Sequence, residues 1–222
     1  MFTIIIVKPL NVIIKHSESN TTKILFDVTL TNVSDIIKLK LLEQNHLQDV
    51  EKLFIEYNKL TNISGLNNFP NLRYLSINTN LIKNLQYFYN LKYLEELYMN
   101  DNKLTTLKDL PSLPSLSILS IMDNKLINLK LPDLPNIYYL SANYNKINTL
   151  LDLPYLKSLK ILMIGNNNLI TLNGIQNLPN LELLYCPDNN LKSLYNLLYL
   201  PVTLKNLHIN TIKIFDKAKL LS

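Results

Sequence analysis

The sequence is poor in the residues that build phosphate-binding loops and covalent cross-links. It holds only three glycines, one cysteine and no tryptophan in 222 residues. The single cysteine, Cys186, leaves no partner for an intrachain disulfide, which fits a reducing compartment. So few glycines provide no glycine-rich loop of the kind that cradles a phosphate. These scarcities argue against a secreted disulfide scaffold and against a nucleotide-binding enzyme.

Long apolar runs are also missing. The apolar start of the chain is interrupted at Lys8, and no basic residue precedes it, so we expect no signal peptide. No stretch approaches the ~20 apolar residues that a membrane-spanning helix needs. We therefore expect a protein that does not bind membranes and that works in the cytoplasm, which would be the host cytoplasm if the chain is viral.

Residues that could carry chemistry are scattered. The three histidines, His16, His46 and His208, lack the spacing of metal ligands. Aspartates and glutamates are plentiful, but their context singles out no pair. Cys186 falls on an inward position of the repeat described below, so we interpret it as a small buried apolar side chain rather than a nucleophile. We predict no catalytic residue, no metal and no cofactor, and hence a protein that is not an enzyme.

What the sequence has in abundance is self-similarity. One asparagine recurs at intervals of 22 residues, with a single interval of 21, and each copy follows the frame L-x-x-L-x-L-x-x-N-x-L. Further apolar residues stand at positions 14, 17 and 20 of the frame. The repeated asparagines are Asn58, Asn80, Asn102, Asn124, Asn145, Asn167 and Asn189. Seven full copies run from Val50 to Thr203, and a partial eighth has Ile212 in place of the asparagine.

The period predicts a local structure. Positions 3 to 7 of each copy should form a short strand, with positions 4 and 6 pointing inward and positions 3, 5 and 7 pointing outward. Strands of successive copies should stack in parallel. The asparagine amides should form a ladder that pairs the main-chain groups left without partners by the turn. The unit is too short for a full helix on the return path, so we expect 3₁₀ turns or extended segments near prolines such as Pro111 and Pro154.

These copies resemble the 22-residue class of leucine-rich repeats, seen in a regulatory subunit of protein phosphatase 1 and in bacterial internalins. The third copy shows the match with Leu94, Leu97, Met99, Asn102 and Leu104. The resemblance covers residues 50 to about 212. It implies an α/β right-handed solenoid, with a curved parallel sheet on the concave side, 3₁₀ or extended segments on the convex side, and a protein-binding role. In its abundance of asparagine, isoleucine, lysine and tyrosine the chain also resembles repeat proteins of AT-rich amoebae and amoebal giant viruses.

The two ends of the chain should cover the core of the solenoid, because terminal repeats would otherwise expose it. We expect an N-terminal cap at 1–49, repeats at 50–212 and a C-terminal cap at 213–222 that contains a short helix. In the first cap, residues 2–8, 11–15 and 23–30 should be strands.

The N-terminal cap leaves alternatives open beyond its strands. Asn32 and Asp35 resemble the capping pair of a helix start. Two strands and a helix resemble the first half of a ubiquitin-like fold. A competing interpretation is a degenerate early repeat, which would use Ile36, Leu39 and Leu41.

The outward positions of the strands hold the candidate binding surface. A scaffold selected only for solubility would carry mostly charged residues there, whereas this chain carries aromatic, methionine and branched aliphatic ones. Such clusters are typical of interface centres, although β-propensity alone also favours tyrosine and isoleucine on strands. The predicted partner-binding residues are Phe54, Tyr74, Tyr98, Ile118, Met122, Tyr139, Ile161, Met163 and Tyr185.

Charge narrows the choice of partner. With positions 2 and 8 included, this face holds eight acidic and four basic side chains, so it is net −4 while the rest of the chain is +9. Such a face repels phosphates and suits a protein with a basic surface. Along one rim, lysines follow the repeated asparagine at Lys59, Lys103, Lys125 and Lys146. We predict a monomeric, non-enzymatic scaffold or adaptor that binds a protein on its concave face; the alternative is nucleic-acid association through the lysine rim.

Overall fold

A computed structural model describes most of the chain. The described residues are 2–7, 11–16, 22–25, 32–35, 44–89, 91–192, 197 and 199–210. Within them, eleven strands join in one sheet. The expected C-terminal cap at 213–222 and most of the helix expected after residue 32 lie outside the described residues.

Eight parallel strands carry the repeats, one from each copy. Their bounds are β4 Val50–Ile55, β5 Tyr74–Ser76, β6 Glu96–Tyr98, β7 Ile118–Ser120, β8 Tyr139–Ser141, β9 Ile161–Met163, β10 Leu183–Tyr185 and β11 Asn206–His208. Each strand pairs with the next so that equal positions of successive copies lie side by side, as Leu75 does with Leu97. The chain is therefore a solenoid in which each copy makes one turn, as the period predicts.

The strands are shorter than predicted. Apart from β4, each covers only positions 3 to 5, and the chain turns three residues later, at position 8. The residue at that position has a left-handed backbone in all seven full copies, with φ between 49° and 56°. These residues are Tyr57, Thr79, Asp101, Asp123, Tyr144, Asn166 and Asp188. Main-chain hydrogen bonds between copies continue beyond the strand, for example from the Thr79 N–H to the Asn100 carbonyl at 2.8 Å.

The repeated asparagines form the predicted ladder. The side-chain nitrogen of Asn102 donates to the carbonyl of Ile77 in the preceding copy at 3.0 Å. It also donates to the carbonyls of Met99 and Asn100 in its own copy, at 3.2 and 3.1 Å. Its Oδ1 accepts the N–H of Ile82 at 3.1 Å. The same four bonds recur at Asn80, Asn124, Asn145, Asn167 and Asn189.

A single apolar core fills the interior of the solenoid, built from the inward positions of every copy. Phe69 and Phe88 are its largest fully buried side chains. Cys186 stands at inward position 6 and is 1 % exposed, and burial raises the pKa of its thiol to about 12. A thiol that stays protonated in an apolar interior is a packing residue, so the interpretation of Cys186 is confirmed.

The return path contains 3₁₀ turns, as predicted, joined by turns and loops without regular structure. Three-residue 3₁₀ helices span Leu66–Asn68 and Ile175–Asn177. Each follows a glycine with positive φ, namely Gly65 at 99° and Gly174 at 105°. The last residue of several copies is polar, and its side chain donates a hydrogen bond to a main-chain carbonyl of the preceding copy. The amide of Asn136, for example, donates to the Pro114 carbonyl at 2.7 Å. These bonds tie the return paths of neighbouring copies together.

The first strands extend the sheet of the solenoid. They are β1 Phe2–Val7, β2 Asn11–His16 and β3 Thr22–Leu25. β1 pairs in parallel with β4 and antiparallel with β2, and β3 pairs antiparallel with β2. A 3₁₀ helix at Gln44–Asp49 leads into β4. The three strands form an antiparallel meander, and most of the helix that a ubiquitin-like start would require lies outside the described residues.

Residues 32–35, which are described between β3 and the first repeat, contact the return path of that repeat. The Asn32 N–H donates to Oδ2 of Asp35 at 3.1 Å, which is the capping pair expected from the sequence. The Ser34 N–H donates to the Ser64 carbonyl at 2.8 Å. A Cβ on Gly65 would lie 2.6 Å from the Ser34 nitrogen, so glycine permits this close approach. Residues 36–41, the proposed degenerate repeat, lie outside the described residues.

Candidate protein-binding face

The outward side of the parallel sheet, here called the concave face, collects all nine predicted binding residues. Each of them is half-buried. One row follows position 3 and includes Tyr74, Glu96, Ile118, Tyr139 and Ile161 in successive strands. Neighbouring strands lie about 4.8 Å apart, so adjacent side chains in a row touch or nearly touch. The face is therefore a continuous surface rather than a set of isolated side chains.

An aromatic cluster occupies the N-terminal half of this face. The ring centroids of Phe54 and Tyr74 lie 4.6 Å apart, and those of Tyr74 and Tyr98 lie 5.3 Å apart. Tilted pairs at these distances are favourable for aromatic rings. Ser76 stands between Phe54 and Tyr98 in register and is fully buried. Because the serine side chain is small, the rings of Phe54, Tyr74 and Tyr98 can lie over it.

Two carboxylates border the aromatic cluster. Glu56 accepts hydrogen bonds from the Ser76 hydroxyl and, at 2.9 Å, from the Asn78 amide. Glu96 accepts the Tyr98 hydroxyl at 2.7 Å. Burial and then this bond to Glu96 raise the pKa of Tyr98 well above its usual range. Burial, then Glu56 and Glu96, also raise the pKa of Tyr74. At neutral pH these phenols stay protonated, so the negative charge in contact with the aromatic cluster comes from the two glutamates.

Central side chains form a second, apolar group. In the position-3 row, Ile118, Tyr139 and Ile161 are neighbours, and Met163 is two residues beyond Ile161 on the same face of β9. Met122 stands at position 7 of the β7 copy and is half-buried. We call these five residues the central patch. They carry no formal charge, which sets them apart from the acidic border of the aromatic cluster.

Beyond the central patch, Tyr185 packs over a glycine. A Cβ on Gly165 would lie 2.9 Å from Cε1 of Tyr185, and the rings of Tyr185 and His208 are 5.7 Å apart. The ring of Tyr185 therefore rests on bare backbone. Because Gly165 has no Cβ, the Tyr185 ring can pack directly against the main chain of the sheet.

Position 2 forms a row of alternating charge along one border of the face. Arg73 pairs with Glu95 and lies 3.9 Å from Glu51. Surface pairs of this kind contribute little to stability. The single guanidinium offsets one of the two carboxylates, so this stretch of the border keeps a net charge of −1.

The same alternation recurs at the other end of the row. Glu182 lies between Lys160, at 2.7 Å, and Lys205, at 2.6 Å. The bonds to these two ammonium groups lower the pKa of Glu182 to about 2. Since position 2 is balanced, the net negative charge of the concave face resides in Glu56, Glu96 and the position-8 aspartates.

Several serines and amides at the outward positions of this face are buried. Ser76, Ser120, Ser141 and Asn143 are at most 6 % exposed. They lie beneath longer neighbours, and all of them except Ser141 take part in a second amide ladder at position 7. In that ladder Asn100 Oδ1 accepts the Met122 N–H at 2.8 Å and the Ser120 hydroxyl at 2.7 Å. The recurrence of asparagine at position 7 is the feature of the sequence from which this second ladder could have been predicted.

Other kinds of site are not evident in the part of the chain that the structure describes. Among those residues, no three histidine, cysteine, aspartate or glutamate side chains are grouped to hold a metal ion. Nor do they include a helix long and apolar enough to cross a membrane. A polar groove of about 370 Å³ lies at the edge of the sheet, beside Arg73 and Tyr93.

Comparison with known proteins agrees with this geometry. A family model described as Leucine Rich repeats (2 copies) matches residues 48–93. The same frame and the same asparagine ladder continue through the copies that follow. The chain therefore has the fold of a leucine-rich-repeat solenoid. No curated protein sequence matches the chain.

Solved structures show the same fold. Internalin C2 of Listeria monocytogenes is 23% identical with a TM-score of 0.65, over 83% of this leucine-rich-repeat chain and 78% of that one. YopM of Yersinia enterocolitica is 28% identical with a TM-score of 0.55, over 83% of this chain and 40% of YopM. A structure of the LRIM1/APL1C complex is 23% identical with a TM-score of 0.53, over 73% of this chain and 35% of that one.

Proposed function

We propose that this protein is a non-enzymatic scaffold or adaptor of the cytoplasm that binds a partner protein on its concave face. The observation that carries the proposal is the joining of the aromatic cluster and the central patch on one face of a rigid sheet. Leucine-rich repeats are typically protein-interaction modules, and one structurally similar protein was solved as a protein complex.

The dimensions of the face suit a protein interface. Eight strands about 4.8 Å apart give a surface on the order of 35 Å long. Tyrosine and methionine are enriched at interface cores, where a large side chain loses its water on binding. Tyr98 and Tyr139 flank the middle of the face, and both side chains point away from the core. We therefore place the energetic centre of the interface between them.

The charge of the face favours a partner with a basic surface. Glu56 and Glu96 lie beside exposed portions of the aromatic cluster, and position 2 is balanced by its own ion pairs. A cationic side chain that reaches the cluster would meet both the ring faces and the carboxylates. We propose that the partner contributes lysine or arginine to this half.

Partner capture from the native host tests the proposal. Tyr98→Ala combined with Tyr139→Ala should abolish capture while the thermal melt stays close to that of the wild type. Lys103→Glu combined with Lys125→Glu changes the lysine rim and serves as the control, for which capture should be retained. Normal capture by the tyrosine variant would place the partner on another surface. Salt-sensitive binding of RNA or DNA that the lysine variant loses would favour nucleic acid instead.

A further inference from the structure

Serines at position 5 follow a rule that links neighbouring copies. The Ser76 hydroxyl donates to Glu56, and the Ser120 hydroxyl donates to Oδ1 of Asn100 at 2.7 Å. In both cases the acceptor is the position-7 side chain of the preceding copy. The buried hydroxyl is thereby paired, as buried polar groups generally are.

The rule breaks at Ser141. The position-7 residue of the preceding copy is Met122, whose thioether is only a weak acceptor. Ser141 is fully buried, and among the described residues its Oγ is the buried side-chain atom that lacks a hydrogen-bond partner. The position-7 ladder breaks at the same place, because Met122 offers no amide oxygen to the next copy as Asn78 and Asn100 do.

The location of this break suggests a reason for it. Met122 belongs to the central patch. The hydrogen bonds from the serine hydroxyl and from the position-7 N–H are therefore missing in the middle of the candidate binding face. Proteins tend to break local rules of stability at functional sites. Methionine is also a flexible side chain with three rotatable bonds, which makes it suited to move when a partner packs against it.

We propose that Ser141 is a specific hydrogen-bond donor to the partner, exposed when the Met122 side chain turns aside. The acceptor would be a neutral carbonyl in an extended segment of the partner, next to an apolar side chain that packs on the central patch. It would take the place that Glu56 and Asn100 occupy for the other two serines. This inference rests on the proposed function, since it assigns a site within the same face.

A neutral acceptor fits this position better than a carboxylate. The concave face is net negative, so an incoming anion would be repelled. The neighbours Ile118, Tyr139 and Ile161 are apolar or neutral, and an ion buried among them would lose its hydration without a compensating charge. A main-chain carbonyl satisfies the serine without either cost.

Stability measurements test the structural half of the inference. Ser141→Ala removes an unpaired hydroxyl, so its melting temperature should equal or exceed that of the wild type. The matched control, Ser120→Ala one strand away, removes a paired hydroxyl and should melt lower. Met122→Asn restores an amide acceptor and should raise the melting temperature by about 2–4 °C. A clear loss of stability in Ser141→Ala would show that the hydroxyl is paired within the fold and would overturn the inference.

Binding measurements test the functional half. Short linear peptides selected by display against the whole wild-type chain would be synthesised and titrated against each variant. Ser141→Ala and Met122→Asn should each weaken binding about fivefold or more, the value of roughly one hydrogen bond. Lys130→Ala, an exposed site at the other side of the copy, should bind as the wild type does.

The two levels of the account fail in different ways. Peptides that are lost on Tyr98→Ala with Tyr139→Ala but bind Ser141→Ala and Met122→Asn normally would overturn the role of Ser141 and leave concave-face binding in place. Peptides that bind all of these variants as tightly as they bind the wild type would overturn both the role of Ser141 and concave-face binding.

Discussion

Single side-chain amides hold successive copies of this solenoid together. Each complete ladder asparagine donates to three carbonyls and accepts one N–H, across the point where the chain leaves the sheet. An amide is suited to this role because it carries donors and an acceptor on one short side chain. The sequence predicted the ladder from the regular recurrence of asparagine alone, since no other role requires the same amide in every copy.

Asn124→Ala should therefore destabilise the whole array. The change leaves the N–H of Leu104 without its partner and removes one of the two amide donors from each of the Met99 and Ile121 carbonyls, so we expect a loss of about 1–3 kcal/mol. Urea unfolding measures it. Asn168→Ala, at an exposed asparagine beside the ladder residue of its own copy, is the control and should change stability little. Equal curves for Asn124→Ala and the wild type would contradict the ladder.

Other single residues were less predictable. The left-handed backbone at position 8 suits aspartate and asparagine, which fill it in four of the seven full copies. Tyrosine and threonine fill the other three and hide the signal. The burial of Ser76 and Ser141 also escaped prediction, because it depends on which neighbouring side chains are long enough to cover them. The frame gives the direction of a side chain, and burial depends on its neighbours in the adjacent copies.

At the scale of the element, a strand and its return path are fixed by different residues. Period-2 alternation predicted a strand at positions 3 to 7 of each copy, and in all copies but the first the structure shortens the strand to positions 3 to 5. Two of the three glycines serve the return path, where positive φ precedes a 3₁₀ turn. The third, Gly165, serves the concave face instead. The sequence alone showed that glycine is scarce, but it did not show which glycines serve the return path and which one serves the concave face.

Alanine substitutions separate these two uses of glycine. At Gly174 a Cβ would lie 2.1 Å from the Leu150 carbonyl oxygen on a backbone with φ of 105°, so Gly174→Ala should lose about 2–4 kcal/mol. At Gly165 the clash is with the movable ring of Tyr185, so Gly165→Ala should lose about 1 kcal/mol or less while it displaces that ring. Thermal melts should rank them in this order. The reverse order would show that the return path adapts more easily than we infer.

The link between β9, β10 and β11 should depend on pH. The folded-state pKa of Glu182 is lowered to about 2 from a usual value of 4.5 by Lys160 and Lys205. A lowered carboxyl pKa contributes stability above the unfolded value and loses it as pH falls towards the folded value. The difference in melting temperature between wild type and Glu182→Gln should be small, greatest near neutral pH, and should close between about pH 5 and 2. A difference that stays constant over that range would contradict the assignment.

At the scale of the whole molecule, repetition made the fold readable from the sequence. Seven full copies of one frame predicted a parallel sheet, a single core and an outward face, and the structure confirms each of these. The N-terminal meander was harder to predict because it follows no repeat and joins the sheet through β1 and β4, which lie more than forty residues apart. The candidate binding residues followed from the frame, whereas their contacts with Glu56 and Glu96 required the structure.

The central claim is that the partner protein lies against the concave face, and a photocrosslink tests it most directly. Tyr139 on the face and Tyr155 on the return path are matched positions, since Tyr155 is 65 % exposed and points away from the sheet face. Each would be replaced in turn by p-benzoylphenylalanine, and the two proteins irradiated in extract of the native host. The account predicts a discrete adduct from position 139 that Tyr98→Ala suppresses, and none from position 155. A discrete adduct from position 155 alone would contradict it.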